Sequence, residues 1–251
     1  MNNKIRTTIL GGLVLASLAA PAVAGDFSTN SITTTTVAPP VISGGGNFSF
    51  STGYHSTYLF RGIDFGDDLI DASIEASFSL GGLDLTAGVW GASLFDSDAN
   101  ASNGLPELDF YVSTSKDLGF VTAELGYILY YFNDFESANT QEVYLGLSKE
   151  VAGVGLSATW YYDFDQADNS YLELGVEKTF VGIDAALTVG TNPTEGEFTH
   201  AQLTLSKTFS LNSEVALTPY VSYSQALANT DELGATRDDQ FLAGVSVGFD
   251  F

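Results

Sequence analysis

The chain has 251 residues, no cysteine, and 31 acidic against eight basic residues, for a net charge of −23 at pH 7. That balance excludes nucleic acid as a partner, because like charges would repel its phosphates, and the missing thiols exclude disulfide and thiolate-metal chemistry. Charged residues are only 16% of the chain while it carries 26 Gly, 18 Phe and 12 Tyr, a balance suited to one surface in lipid and another lining a lumen.

Residues 1–24 read as a secretory signal peptide: Lys4 and Arg6 precede an apolar run from Ile9 to Ala20, and Ala22-Val23-Ala24 supplies small residues for cleavage. Its removal takes two basic residues and no acid, which leaves a mature charge of −25 beginning at Gly25. No later window has the ~18 uninterrupted apolar residues of a membrane helix. Residues 25–46 form a flexible leader without periodicity, marked by Thr33 to Thr36, Pro39-Pro40 and Gly44 to Gly46.

From Asn47 to Phe251 apolar and polar residues alternate with period two. The reading is all-β: a transmembrane antiparallel up-and-down β-barrel over 47–251. Its twelve strands are expected at 47–61, 68–80, 83–95, 106–117, 119–132, 140–151, 153–164, 169–180, 181–191, 198–209, 213–227 and 238–251. In the second strand Ile70, Ala72, Ile74, Ala76, Phe78 and Leu80 face lipid, and Asp71, Ser73, Glu75, Ser77 and Ser79 face inward. The fifth strand offers lipid Val121, Ala123, Leu125, Tyr127, Leu129 and Tyr131; the ninth offers Val181, Ile183, Ala185, Leu187 and Val189. Connections after even-numbered strands are tight, around Gly81-Gly82, Leu118-Gly119, Val151 to Gly153, Phe180 to Gly182 and Leu211-Asn212. Those after odd-numbered strands are longer and polar. Short periplasmic turns, long outer loops and an even strand count are the plan of an outer-membrane barrel exported through the periplasm, with both termini on the periplasmic side.

A repeat places Lys116, Lys149, Lys178 and Lys207 just before tight turns. By parity each lies on the outward face, where its stem follows lipid and its ammonium reaches phosphates, so these are expected membrane anchors. Trp160, Tyr162, Tyr54 and Tyr127 are outward girdle candidates, and Gly88, Gly126, Gly146 and Gly175 line the lumen. The final strand alternates Phe241, Ala243, Val245, Val247, Phe249 and Phe251 with a polar, small-residue set. Ending on an aromatic resembles the closing strand of outer-membrane barrels, which implies that Phe249 and Phe251 serve as a signal to the barrel-assembly machinery.

The first strand ends in Tyr58-Leu59-Phe60-Arg61-Gly62 after Ser51 to Thr57. This run resembles the opening signature of the TorF-type porins, and the likeness extends to the signal and the general barrel plan. The resemblance implies a small outer-membrane barrel that passes solutes, without a defined substrate.

Read from parity alone, Arg61 faces inward near the outer mouth, toward Asp71, Glu75, Asp109, Glu124, Glu142, Glu173, Glu177 and Asp184. An acid-lined lumen favours passage of cations and small hydrophilic solutes, because low-dielectric walls focus the field. The other reading of the same residues is a plugged structural or adhesive barrel whose acids pair with Arg61 and tyrosine hydroxyls. Acids in the long loops, at Asp64, Asp67, Asp68, Asp96, Asp98, Asp134, Glu136, Asp163, Asp165, Asp168, Glu195, Glu197, Asp231 and Glu232, fit divalent cations bridging lipopolysaccharide. None has calcium-loop spacing. Only His55 and His200 offer a neutral-pH base; both point inward, away from where a lipid hydrolase would work, so no enzyme, cofactor or dedicated metal is expected.

Overall fold

The computed structural model describes residues 47–96, 107–132, 139–228 and 237–251. The signal peptide, the leader and the loop acids Asp98, Asp134, Glu136, Asp231 and Glu232 lie outside the described residues. The described chain is a closed antiparallel cylinder without a helix: β1 (Asn47–Phe60), β2 (Ile63–Leu80), β3 (Leu83–Asp96), β4 (Glu107–Asp117), β5 (Thr122–Phe132), β6 (Thr140–Val151), β7 (Val154–Asp163), β8 (Asn169–Phe180), β9 (Ile183–Asn192), β10 (Glu197–Ser206), β12 (Val215–Ala226) and β13 (Gln240–Asp250), with a two-residue β11 (Phe209–Ser210) beside β12. These twelve long strands match the expected ones closely. Neighbours in sequence pair throughout; β10 pairs with β12, and β13 returns to β1 with Ser49 opposite Asp250 and His55 opposite Gly244. Closure leaves no strand edge, which a bilayer without water requires.

Large apolar side chains such as Ile70, Ile74, Phe78, Leu125, Leu145, Leu187, Leu203 and Phe241 stay exposed on the outer wall, as the alternation predicts. At the loop end the outward tyrosines anchor to the next strand. Tyr162 donates to Asp168 at 2.5 Å, Tyr223 to Asp239 at 2.7 Å, Tyr127 to Gln141 at 2.8 Å, and Tyr54 to Asp68. Asp239, which precedes β13, is held below its usual carboxyl range by the Tyr223 hydroxyl and the Ala226 amide. Trp160 stacks on Tyr162 with ring centres 5.8 Å apart. Rings with an apolar body and a polar tip suit this level of a membrane.

The connection after β1 departs from the sequence reading. A long polar loop is expected over 62–67, but β2 begins at Ile63 and the turn is only Arg61-Gly62, with φ of 45° and 77°. Two successive positive φ values match the right-handed twist of the flanking strands, as at Ala152-Gly153 and Val181-Gly182 at the opposite end. Asp64 and Asp67, read as loop acids, are therefore strand residues. Residues 57–63 are buried on both faces, because this hairpin leaves the wall at an irregularity between Tyr58 and Leu59 and folds into the lumen.

Candidate functional site in the lumen

Toward the end with the short turns, the lumen wall is small and polar: Ser51 and Ser73 share a 2.7 Å hydrogen bond, and Gly146, Ser148, Ser157 and Gly175 continue the lining. Glu75, Glu124, Glu177 and Asp184 are half-buried here, and Glu173 lies higher, opposite Thr159. Tyr111 donates to Glu75 at 3.1 Å and Tyr144 to Glu124 at 2.6 Å, while Thr179 donates to Asp184 at 2.5 Å. Each tyrosine lies across a glycine of the neighbouring strand. A Cβ on Gly88 would sit 2.2 Å from the Tyr111 hydroxyl, and one on Gly126 would sit 2.2 Å from the Tyr144 ring. The glycines thus let the rings lie flat on the wall, which carries each hydroxyl to a carboxylate and keeps the bore clear below.

At mid-height Asp71 accepts from Trp90 Nε1 at 2.9 Å and lies 3.4 Å from His55 Nε2, and His55 Nδ1 is 2.5 Å from the Tyr220 hydroxyl. Ser56, beside His55, accepts the Ala243 amide at 3.0 Å.

Toward the loop end the lumen is dry. The Arg61 guanidinium sits 4.0 Å from the Tyr171 ring centre and donates to Glu142 at 3.2 Å and 3.4 Å; its carbonyl accepts from Arg237 Nε at 3.2 Å. Gly62 packs on β10, where a Cβ would approach the His200 Cβ to 2.7 Å. Tyr130 adds a 3.3 Å bond to Glu142, Tyr58 a 2.5 Å bond to Glu107, and Thr140 a 2.7 Å bond to Asp163. Tyr130, Tyr161, Glu142 and Asp163 are 0% exposed, and Arg61 is 2% exposed. The hairpin tip therefore bridges from β1 and β2 to β6, β7, β8 and β10, and Tyr58, Phe60, Trp90, Tyr111, Ile128 and Phe132 form one buried cluster with Tyr130, Tyr161 and Tyr171.

The residues expected at one acid-lined site thus fall at separate heights. Arg61, Asp109 and Glu142 lie in the dry layer, Glu173 lies at its base opposite Thr159 and within electrostatic reach of Arg61, Asp71 lies at mid-height, and Glu75, Glu124, Glu177 and Asp184 lie in the wetter half. Asp163, read as a loop acid, and Glu107, not singled out, both belong to the dry layer. Four buried carboxylates there, Glu107, Asp109, Glu142 and Asp163, meet two buried guanidiniums, Arg61 and Arg237, among the described residues. Lys116, Lys149, Lys178 and Lys207 are exposed near the short turns, with Lys207 Nζ 5.3 Å from the Phe209 ring centre. Phe249 packs on Phe50 across the seam at 5.7 Å, and Phe251 exchanges backbone bonds of 2.8 Å and 3.4 Å with Phe48.

The model of Gcw_chp, a family of bacterial proteins of unknown function, matches residues 41–245, so the chain belongs to that family. No curated protein matches it. Among solved structures, the outer membrane phospholipase dimer of Salmonella typhi with bound calcium aligns at 13% identity and a TM-score of 0.50, over 81% of this chain and 90% of that one. A KdgM porin aligns at 12% identity and a TM-score of 0.49, over 82% and 99%. An outer membrane channel from Pseudomonas putida F1 aligns at 14% and 0.49, over 85% and 97%. At such identities the likeness to the phospholipase is one of fold alone, that of an outer-membrane barrel.

Proposed function

We propose that this Gcw_chp protein is an outer-membrane channel for passive, cation-preferring passage of small hydrophilic solutes or ions; the TorF-type resemblance of its first strand implies the passage of solutes, and the inward acids supply the preference for cations. The observation that carries the reading is the distribution of charge. Glu75, Glu124, Glu177 and Asp184 face the wetter half of the lumen and Glu173 lies where it meets the dry layer, whereas the described basic residues are either outward lysines or the two arginines of the dry layer. Carboxylates in a narrow, low-dielectric bore concentrate cations and repel anions. The lysines near the short turns suit the phosphates of the inner leaflet, and the rim acids at the loop end suit divalent cations bridging lipopolysaccharide.

The reading includes no hydrolytic role. His55 is engaged by Asp71 and Tyr220, Ser56 is engaged by a backbone amide, and His200 is sealed against Gly62 and Tyr171. None of these groups reaches the lipid face as a nucleophile and base together.

Planar-bilayer recording under a salt gradient tests the proposal. The reversal potential should have the sign of cation preference, and replacing Glu75, Glu124 and Glu173 by Gln should shrink it. The difference should fade at high salt, where screening shortens the reach of each charge to about 3 Å. Anion preference in the wild-type protein would overturn the reading.

A further inference from the structure

The hairpin that closes the lumen is built as a separate unit. The ladder between β1 and β13 stops at His55 opposite Gly244, and among the described residues the ladder between β2 and β3 starts at Asp67 opposite Asp96. Beyond these points, among the described residues, β1 and β2 pair with each other through Thr57 with Asp67, Tyr58 with Gly66, Leu59 with Asp64 and Phe60 with Ile63. The rung between Ser56 and Asp68 is skipped, and Asp68 and Gly66 have φ of 58° and 135°. Irregular pairing and left-handed residues at the base of a hairpin are what re-aim a strand pair. The outer part of β13, Gln240 to Ala243, meanwhile continues its ladder with β12 alone.

We infer that the segment Ser56–Gly66 is a hinged flap with two seats, and that Arg61 latches it in the closed one. The inference rests on the channel reading above. In the closed seat the tip crosses the bore and is held on the far wall by the Arg61–Glu142 pair, by Tyr171 and Tyr161 beneath the guanidinium, and by Gly62 on His200. In the open seat the flap returns to the cylinder. Continuing the existing register places Thr57 opposite Leu242 and Leu59 opposite Gln240, so the outer part of β13, which already meets the flap through Ser56 on the Ala243 amide and Leu59 beside Leu242, receives its backbone. Strand alternation then turns Tyr58 and Phe60 outward, on the same face as Tyr54 and farther along the strand, while Thr57, Leu59 and Arg61 face the bore. The two seats differ in whether the bore is crossed. Two discrete arrangements of one element are what a gate needs.

The test compares single-channel records of three folded proteins, each checked for strand content in detergent. One is wild type, one is Arg61→Ala, and the third replaces Tyr58–Gly66 by Asn-Gly, a turn that joins the paired residues Thr57 and Asp67 directly. Wild type should show brief openings from a closed baseline. Arg61→Ala should raise the open-to-closed ratio by about tenfold or more, since each ~1.4 kcal/mol removed from the latch shifts an equilibrium tenfold. The shortened protein should stay open. Equal, steady conductance in all three would overturn the gate and leave the channel reading standing. A silent wild type beside a conducting shortened protein would make the hairpin a fixed plug and also overturn the gate. Silence from all three would overturn the gate and the channel reading together.

Discussion

Arg61→Ala should lower unfolding stability in detergent by about 3–5 kcal/mol, the loss expected when one partner of a buried ion pair is removed and the other charge stays buried. Glu142 is 0% exposed and receives the guanidinium at 3.2 Å, so truncation leaves its charge buried away from bulk water. Glu107, Asp109 and Asp163 are buried at the same level and would be left with Arg237 as the one described guanidinium among them. Arg61→Lys should recover only part of the loss. A lysine keeps the charge but gives up the flat guanidinium, which lies 4.0 Å from the Tyr171 ring centre. The double variant Arg61→Ala with Glu142→Gln should be more stable than Arg61→Ala alone, because the unpaired acid is gone. Urea or thermal melts of these proteins and of Glu142→Gln alone check these orders, and additive losses in the double variant would show that the pair is not coupled.

Removing Phe251 should reduce membrane-inserted protein far more than shortening a loop. The residue contributes two backbone bonds to Phe48 at the seam where β13 meets β1, and its ring is exposed on the lipid side. Loss of those bonds leaves Phe48 without its partner at the one junction that closes the cylinder. Loop tips carry no such duty and tolerate change. Comparing heat-modifiable, membrane-embedded yields of the Phe251 deletion and of a deletion within 97–106 reads the difference; equal yields would remove the assigned role of the terminal aromatic.

The barrel was legible in the sequence because lipid and lumen impose opposite polarities on successive residues. A run such as Ile70 to Leu80 therefore declares both its span and its faces. The inward parity of Glu75, Glu124 and Glu173 follows from the same rule, and so does the outward parity of the four lysines. The height of each group in the bore was not legible, because parity sets a face and says nothing about what crosses the lumen. Arg61-Gly62 has the same chemistry as the tight turns Ala152-Gly153 and Val181-Gly182, a signal that the nearby acids Asp64, Asp67 and Asp68 obscured by resembling a loop. Asp163 was hidden for a similar reason: it ends β7 and also accepts the Asp165 and Gln166 amides, so it reads as a turn residue although it is buried against Thr140. Glu107 follows Pro106 at a strand entry, where an acid commonly faces solvent. Only the position of Tyr58 on the inturned hairpin shows why it is buried.

The division of the bore into a wetter half and a dry layer is the centre of this account, and the absence of cysteine allows a direct test of it. Ser148→Cys lies on the inner face of the wetter half, and Thr159→Cys lies on the adjoining strand in the layer beneath the flap, where Thr159 is 3% exposed. A charged, membrane-impermeant thiol reagent applied to folded protein should label the cysteine at position 148 readily. It should reach the one at position 159 only slowly, and faster once Tyr58–Gly66 has been replaced by Asn-Gly. Equal, rapid labelling of both positions in the otherwise wild-type barrel would contradict the account, because the bore would then be open to water along its whole length.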